Sequence, residues 1–557
     1  GTAPCKTACP AHIAIQGYLK LAAQGRYEDA LALIKKNNPF PAVCGRICNK
    51  RCEEACTRGT IDQAIAIDAV KKFLAERDLD PKTRFIPEKE IPSAVDGFEF
   101  KEKIAIIGAG PAGLSAAYFL ALKGYRPTVF EKSPLPGGML RYGIPSYKLE
   151  KTIIDAEIEV MKELGVEIRC GVEVGKDITI EELKKQGYCA FYLAIGCQGG
   201  RRPGVLNENA EGCSIAVDFL RDATDHQDQK IDGDVVVVGG GNVAIDCARV
   251  SSRFNPSKVS MVCLETREEM PASKLEQQEA EEEGVAILCS YGPKEIKVDE
   301  KGHVSSIVFK KCTQTKDPET GRFAPLYNEE ETIELPASRV IFAIGQSIVW
   351  GDLLKGTSVE TKPNGAPLAE PYTYRTKDPQ IVVGGDVFTG PKFVIDAIAA
   401  GKMAADSLHR IAHPGTSKDE GINKMEFVAL DKNNIYIDDY DHSARQEEGL
   451  DGSINAKKSF RDARKTLTEE QVKIETARCL GCGASIVDTN KCIGCGICTT
   501  KCEFDAIHLT RDIPAASVMV PCEDTMKQVF PYMIKRQFAI KKHQRELKKQ
   551  AKQALKK

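Results

Sequence analysis

At 557 residues, the chain exceeds the roughly 250–300 residues at which single cores stop growing, so several domains are expected. Charged residues make up 28% and apolar ones 42%, and 77 basic side chains face 79 acidic ones, a balance that argues against nucleic acid as a partner. No apolar run approaches the roughly 20 residues of a membrane span, and the start, Gly1-Thr2-Ala3-Pro4, lacks a signal-peptide pattern, so a cytoplasmic protein is expected; with no Met at the start, the chain is expected to be either trimmed or incomplete ahead of Gly1.

Residues 1–80 read as a small helical domain with cysteine loops: Ile13, Tyr18, Leu19 and Ala22, then Tyr27, Ala30, Leu31 and Ile34, keep helical spacing around a break at Gly25, and residues 64–77 add another amphipathic helix. Pro81, Pro87, Pro92 and Gly97 mark 81–100 as a linker. An α/β body follows, with apolar strands predicted at Lys103–Ile107, Thr128–Phe130, Phe191–Ile195, Asp234–Val238, Lys258–Cys263, Arg339–Ile344 and Gln380–Val383, and helices at 111–123 and 242–253. It divides into a first nucleotide-binding domain (101–230 and 336–412) with a second (231–335) inserted. Residues 413–470, polar and weakly periodic, read as an extended connection, 471–525 as a cysteine-dense segment and 526–557 as a basic tail.

The first glycine turn, Gly108-Ala109-Gly110-Pro111-Ala112-Gly113, follows a strand and opens a helix, and Glu131 ends the next strand 23 residues after Gly108. That context lets a pyrophosphate approach the helix N-terminus while the carboxylate binds the ribose hydroxyls. A second copy, Gly239-Gly240-Gly241-Asn242-Val243-Ala244, has its acid at Glu265, 26 residues after Gly239. An isolated glycine set is often just a tight turn, but two sets in register with strand, helix and acid imply two dinucleotides.

Thirteen of the 21 cysteines cluster at the chain ends with short spacers, a metal-binding pattern; the other eight stand singly and read as small buried thiols. Cys492-x2-Cys495-x2-Cys498-x3-Cys502 has the bacterial ferredoxin spacing for a 4Fe–4S cube, against a less fitting zinc knuckle. Cys479 and Cys482 precede it and Cys522 follows. At the N-terminal end stand Cys5-x3-Cys9 and Cys44-x3-Cys48-x3-Cys52-x3-Cys56. Thirteen ligands fill three four-ligand clusters with one over, whereas a fourth cluster would take more cysteines than the two groups hold.

The chain resembles the glutamate synthase small subunit and its relatives, among them the N-terminal half of dihydropyrimidine dehydrogenase and flavin subunits of electron-bifurcating complexes. The likeness spans nearly all of 5–410 and rests on Gly137-Gly138-Met139-Leu140-Arg141-Tyr142-Gly143-Ile144-Pro145, Gly384-Gly385-Asp386-Val387, and the strand ends Ala194-Ile195-Gly196 and Ala343-Ile344-Gly345. It implies two Rossmann-like domains of the glutathione and thioredoxin reductase type between a helical iron-sulfur domain and a ferredoxin-like one. In this reading FAD is held through the first turn, Glu131, Lys132, Gly138, Arg141, Gly385, Asp386 and Val394. The nicotinamide dinucleotide is held through the second turn, Glu265, Arg267 and Gly345. Family members that use NADPH carry a Tyr-Arg-Arg run where this chain has Cys263-Leu264-Glu265, so NAD(H) is expected over NADP(H). Thioredoxin reductases need a Cys-x-x-Cys before the second turn, and residues 225–238 contain none, so electrons are expected to leave through clusters.

By the same resemblance, one N-terminal cluster takes Cys9, Cys48, Cys52 and, as fourth candidate, Cys44. The other takes Cys5, Cys56 and a further pair, for which Cys479 and Cys482 are candidates, leaving Cys492, Cys495, Cys498 and either Cys502 or Cys522 for the third. The rival arrangement takes that further pair from residues ahead of Gly1, with Cys479 and Cys482 helping a second ferredoxin-type cluster, four in all. The expected function is electron transfer between NAD(H), FAD and 4Fe–4S clusters, to or from ferredoxin or a hydrogenase or formate dehydrogenase type of partner in a multisubunit complex. The alternative is a glutamate synthase small subunit serving a glutamine-dependent large subunit.

Overall fold

The computed structural model describes residues 2–90, 99–414, 428, 431–432, 437, 439–483, 487, 491–501, 507–510 and 521–554. The first sheet is parallel throughout, in the order Ile381–Val383, Tyr188–Leu193, Lys103–Ile107, Thr128–Glu131, Glu167–Cys170. Four of its strands are largely buried on both faces because helices cover both, as parallel sheets require, while the edge strand Glu167–Cys170 is half exposed. One covering pair is Pro111–Leu122 and Val394–Ala412, where the methyl-sized gap left by Gly401 lets the second helix settle on the first: a Cβ there would lie 2.5 Å from the Ala112 carbonyl oxygen.

The second parallel sheet runs Cys213–Ile215, Arg339–Phe342, Asp234–Val238, Lys258–Val262, Ala286–Leu288. The second nucleotide fold therefore extends from Cys213 to Phe342, wider at both ends than the expected 231–335. The two strands that widen it, Cys213–Ile215 and Arg339–Phe342, are short, and only pairing assigns them. A three-stranded antiparallel sheet, Tyr291–Val298, Val304–Lys316 and Phe323–Pro336, was not expected; its third strand alternates exposed and half-buried residues and carries little apolar signal.

The N-terminal helices, including Ile15–Ala23, Tyr27–Lys35, Pro41–Ile47 and Ile67–Ala75, share one apolar core with the first nucleotide fold. Glu157, from the helix Lys151–Glu163 of that fold, is buried and accepts hydrogen bonds from Ala42 N (2.6 Å) and Val43 N (3.1 Å), capping the helix that carries Cys44. A carboxylate placed there satisfies free N–H groups and complements the helix dipole.

The expected connection 413–470 has an anchoring role in its described part. Arg445 pairs with Glu53 (2.7 Å), Glu448 with Lys72 (3.0 Å), Arg461 with Glu150 (2.7 Å), and Lys457 donates to Glu282 O (2.7 Å), so the segment is tied to all three bodies. It leads into the helix Glu469–Ala477, whose Val472 joins the N-terminal core. Residues 526–554 of the expected basic tail lie in a single helix, Cys522–Ala554. Among the described residues no helix is long and apolar enough to cross a membrane.

Candidate functional site

The two glycine turns repeat one geometry. Gly108 has φ +107°, and a Cβ there would lie 2.5 Å from Ala194 O; Gly239 has φ +142°, and its Cβ would lie 2.4 Å from Ala343 O. In each fold the turn is pressed on the end of a neighbouring strand, at the Ala-Ile-Gly segments noted above. Behind the first turn, a Cβ on Gly113 would lie 2.0 Å from Gly108 O. Such contact is available only to glycine, and it brings the helix N-terminus to the turn.

Glu131 ends its strand buried, accepting from Ala109 N and Ser133 N at 2.8 Å each. These bonds aim the carboxylate along the turn. Gly138 closes the other side, with its added Cβ 2.7 Å from Gly110 Cα, while Gly137 N donates to Ala109 O (2.8 Å). Between them opens a cleft of about 530 Å³, within the range of roughly 300–1,000 Å³ usual for ligand sites. Gly108, Gly110, Pro111, Ala112, Glu131 and Lys132 line it from the first turn and its acid. Gly138, Asp386 and Val394 line it from farther along the first fold, and Gly241, Asn242, Val243 and Gly345 from the second.

This arrangement fits FAD: a glycine cradle at a helix N-terminus, a buried acid fixed at the end of the next strand, and a cleft of ligand size. Asp386 is held by Lys392 N (3.1 Å), and burial pushes its carboxyl up to about 6. Val394 begins the helix Val394–Ala412, placing free N–H groups at the cleft wall. Gly385 supports from behind, its added Cβ falling 2.7 Å from the Ala112 methyl.

Arg141, expected among the FAD contacts, follows the Gly137-Gly138 turn and is bonded on its own fold. Its guanidinium donates to Pro136 O (2.6 Å) and pairs with Asp155, and it is not among the residues lining the cleft. It holds the Gly137-Gly138 turn in shape from outside. In the second fold Gly239 and Ala244 are packed inside the turn and helix, and neither lines the cleft. Glu265 stands over the turn, its Oε2 2.8 Å from where a Gly240 Cβ would be, and Arg267 pairs with Glu281 (2.7 Å).

Sequence reading missed a charged cluster at the cleft edge. Asp246, four residues past Asn242 on the same helix, lines the cleft and pairs with Lys148 (2.6 Å), which also pairs with Glu276. The i, i+4 spacing from the glycine turn was the available signal. Nearby, Lys151 donates to Leu140 O (3.2 Å) and Ile144 O, and burial, with Arg141 adding repulsion, lowers its pKa to about 7. The unfolded chain then binds this proton and the folded one does not between about pH 7 and 10.5, so stability rises with pH across that window. Denaturant titrations at several pH values are expected to show this rise, and to show it flattened in Lys151→Met.

The N-terminal cysteines fall into two groups. Cys5, Cys56, Cys479 and Cys482 line one small cavity. Burial first, then Cys479, Cys56 and Cys482, push the Cys5 thiol up to about 12. Cys9, Cys44, Cys48 and Cys52 form the second group around Lys71: burial raises all four thiols, and Lys71 opposes the rise at each. Arg51, beside Cys52, pairs with Asp396 (3.1 Å) and lies 5.6 Å from the Phe393 ring centre, tying this second group to the helix start at the cleft wall.

Among the described residues no three His, Cys, Asp or Glu side chains converge closely enough to hold a single metal ion. The four cysteines around the one small cavity could hold a cube, which takes one thiolate at each iron corner. At the other end Cys495, Cys498 and Cys522 are exposed, Cys492 accepts from Gly494 N (3.4 Å), and Cys502 lies outside the described residues.

Residues 102–401 match the pyridine nucleotide-disulphide oxidoreductase family, residues 1–83 match dihydropyrimidine dehydrogenase domain II with its 4Fe-4S cluster, and residues 485–508 match the 4Fe-4S binding domain. The chain is 35% identical over 509 residues to the NADP(+)-dependent formate dehydrogenase subunit beta of Moorella thermoacetica, covering 86% of this chain and 70% of that protein. It is 33% identical over 428 residues to the glutamate synthase [NADPH] small chain of Escherichia coli (73% and 88%), and 32% identical over 410 residues to the NAD-dependent dihydropyrimidine dehydrogenase subunit PreT of the O157:H7 strain of that species (73% and 90%). With its two nucleotide folds facing one cleft and its cysteines gathered at both ends, the chain belongs to the pyridine nucleotide-disulphide oxidoreductase family, as an FAD- and NAD(P)-dependent oxidoreductase with 4Fe–4S domains.

Proposed function

We infer that the chain is the NAD(H)- and FAD-binding electron-transfer subunit of a redox complex, exchanging electrons through 4Fe–4S clusters with a ferredoxin or with a hydrogenase or formate dehydrogenase type of partner. The observation that carries this is the shared cleft: both nucleotide folds wall it, and Arg51 ties a cysteine-bearing helix to its Phe393–Val394 side. Bound FAD supplies the conversion between hydride and single-electron chemistry. The protein's own part is placement. The second turn and Glu265 position a dinucleotide, the first turn and Glu131 position another, and the helix start at Val394 offers N–H groups where negative charge is to be stabilised.

Cys9, Cys44, Cys48 and Cys52 are the ligand set proposed for the cluster nearest the cleft, and Cys492, Cys495 and Cys498, with Cys502 or Cys522, the set for the C-terminal one. Anaerobic mixing with NADH is expected to bleach the flavin and then bring up reduced-cluster signals in electron paramagnetic resonance. Bleached flavin with silent clusters would sink the reading.

NAD(H) is favoured over NADP(H) by Glu265. A carboxylate over the turn accepts hydrogen bonds from a free 2′-hydroxyl and repels a 2′-phosphate, while Glu281 engages Arg267. The kcat/KM for NADH is expected to exceed that for NADPH by about tenfold or more, and Glu265→Arg to move the ratio toward NADPH by about 100-fold, worth about 2.7 kcal/mol. A wild-type preference for NADPH would overturn the assignment.

A further inference from the structure

We propose that Cys5, Cys56, Cys479 and Cys482 are the four ligands of a single 4Fe–4S cluster, so that the two ends of the chain build one site in common. Neither iron-sulfur match includes Cys479 or Cys482: one stops at residue 83 and the other starts at 485. All four thiols nevertheless line the same cavity, whose other walls include Pro4, Leu19, Ile65 and Leu480. Gly481, at φ +61°, turns the chain between Cys479 and Cys482 so that both reach it.

The two halves are fastened within two residues of the thiols. Arg58, fully buried and two positions after Cys56, donates to the carbonyl of Arg478 (3.1 Å), the residue before Cys479. Arg478, equally buried, donates back to Gln63 O (2.6 Å) and to Ser443 O (2.9 Å) and pairs with Glu475 (2.8 Å). Two buried guanidiniums with nearly every donor engaged are costly to assemble and permit few alternative arrangements. They hold the Cys479–Cys482 turn against Cys5 and Cys56. Four cysteines around one cavity fit a cube that takes one thiolate at each iron corner.

The cluster's electron-transfer role rests on the function proposed above; its occupancy does not, and the test reads occupancy directly. Full-length protein is reconstituted anaerobically with iron and sulfide, reduced with dithionite, and assayed for iron, acid-labile sulfide, zinc, flavin and paramagnetic signals. Cys479→Ala/Cys482→Ala and Cys5→Ala/Cys56→Ala are each expected to lose about four irons and the same signal, and the quadruple variant to lose about four in total. Cys495→Ala/Cys498→Ala is expected to lose a different signal. Flavin retained at wild-type stoichiometry shows that the variants fold.

Additive loss of about eight irons in the quadruple variant, retention of all iron in Cys479→Ala/Cys482→Ala, loss there of the signal that Cys495→Ala/Cys498→Ala loses, or zinc in the site would each overturn the proposal. Should the alanine variants fail to fold, Cys479→Ser is expected to keep the iron with a shifted spectrum, and an unshifted one overturns it. If the irons behave as expected but NADH reduces none of them, the site stands and the functional reading falls.

Discussion

Gly113→Ala protein is expected to purify with its flavin site empty, the FAD-to-protein ratio falling from near one to below about a tenth. The added methyl would lie 2.0 Å from the Gly108 carbonyl oxygen and 3.1 Å from the Ile106 side chain. Neither neighbour can retreat. Gly108 is itself pressed on Ala194 and its N–H is bonded to Phe130 O (2.8 Å), and Ile106 lies in the core of the sheet. The turn must therefore open, pulling the helix N-terminus away from the pyrophosphate position. Overpacking of this kind costs about 1–3 kcal/mol and more where backbone is hit. Absorbance of the purified protein and its recovery on adding FAD measure the effect, and wild-type flavin content in the variant would refute it. Gly110→Ala is the informative contrast: its Cβ would meet only Gly138 Cα, at 4.0 Å, so any flavin loss there comes from the ligand side of the turn.

The other large effect is expected at Glu475, far from both glycine turns. This carboxylate is fully buried and accepts from Ala66 N (2.7 Å), Gln446 N (2.7 Å) and Arg478 Nη1 (2.8 Å). Glu475→Ala would strand two backbone donors and leave Arg478 short of its counter-charge, a loss of about 3–5 kcal/mol for a broken buried pair. In a multidomain chain this appears as local release before global unfolding. Hydrogen exchange is expected to accelerate by about 100-fold or more across 443–482, with new proteolytic cuts there, while residues 103–131 keep their protection. Glu475→Gln, which retains an acceptor for the two backbone groups, should lose less. Equal protection of 443–482 in wild type and Glu475→Ala would show that the segment is held by its other anchors, such as Arg445–Glu53.

Both expectations turn on glycine and charge contacts that differ in how far they reach along the chain, and the same difference governs what could be read in advance. The turns at Gly108 and Gly239, the acids at Glu131 and Glu265, and the helices they open are each contained in a strand–turn–helix–strand unit of about thirty residues. Their pattern is local, and the helix and strand cores were placed to within a few residues. Arg141 shows the limit. It follows Gly138 closely in sequence, yet its side chain pairs with Asp155, fourteen positions on, a contact that spacing does not record. Likewise the strands Cys213–Ile215 and Arg339–Phe342 look like members of the first fold until hydrogen bonding puts them in the second.

Cysteine spacing by itself determined that this chain binds metal at both ends, and glycine–acid spacing that it binds two dinucleotides, because both depend on short runs of backbone. Only the tertiary structure decided which thiols share a cavity, that Asp246 and Lys148 flank the cleft, and that residues 439–482 brace the N-terminal domain. Those arrangements rest on buried charges such as Arg58, Arg478 and Glu475, whose partners lie up to some 420 residues away, and no periodicity records a contact made at that separation.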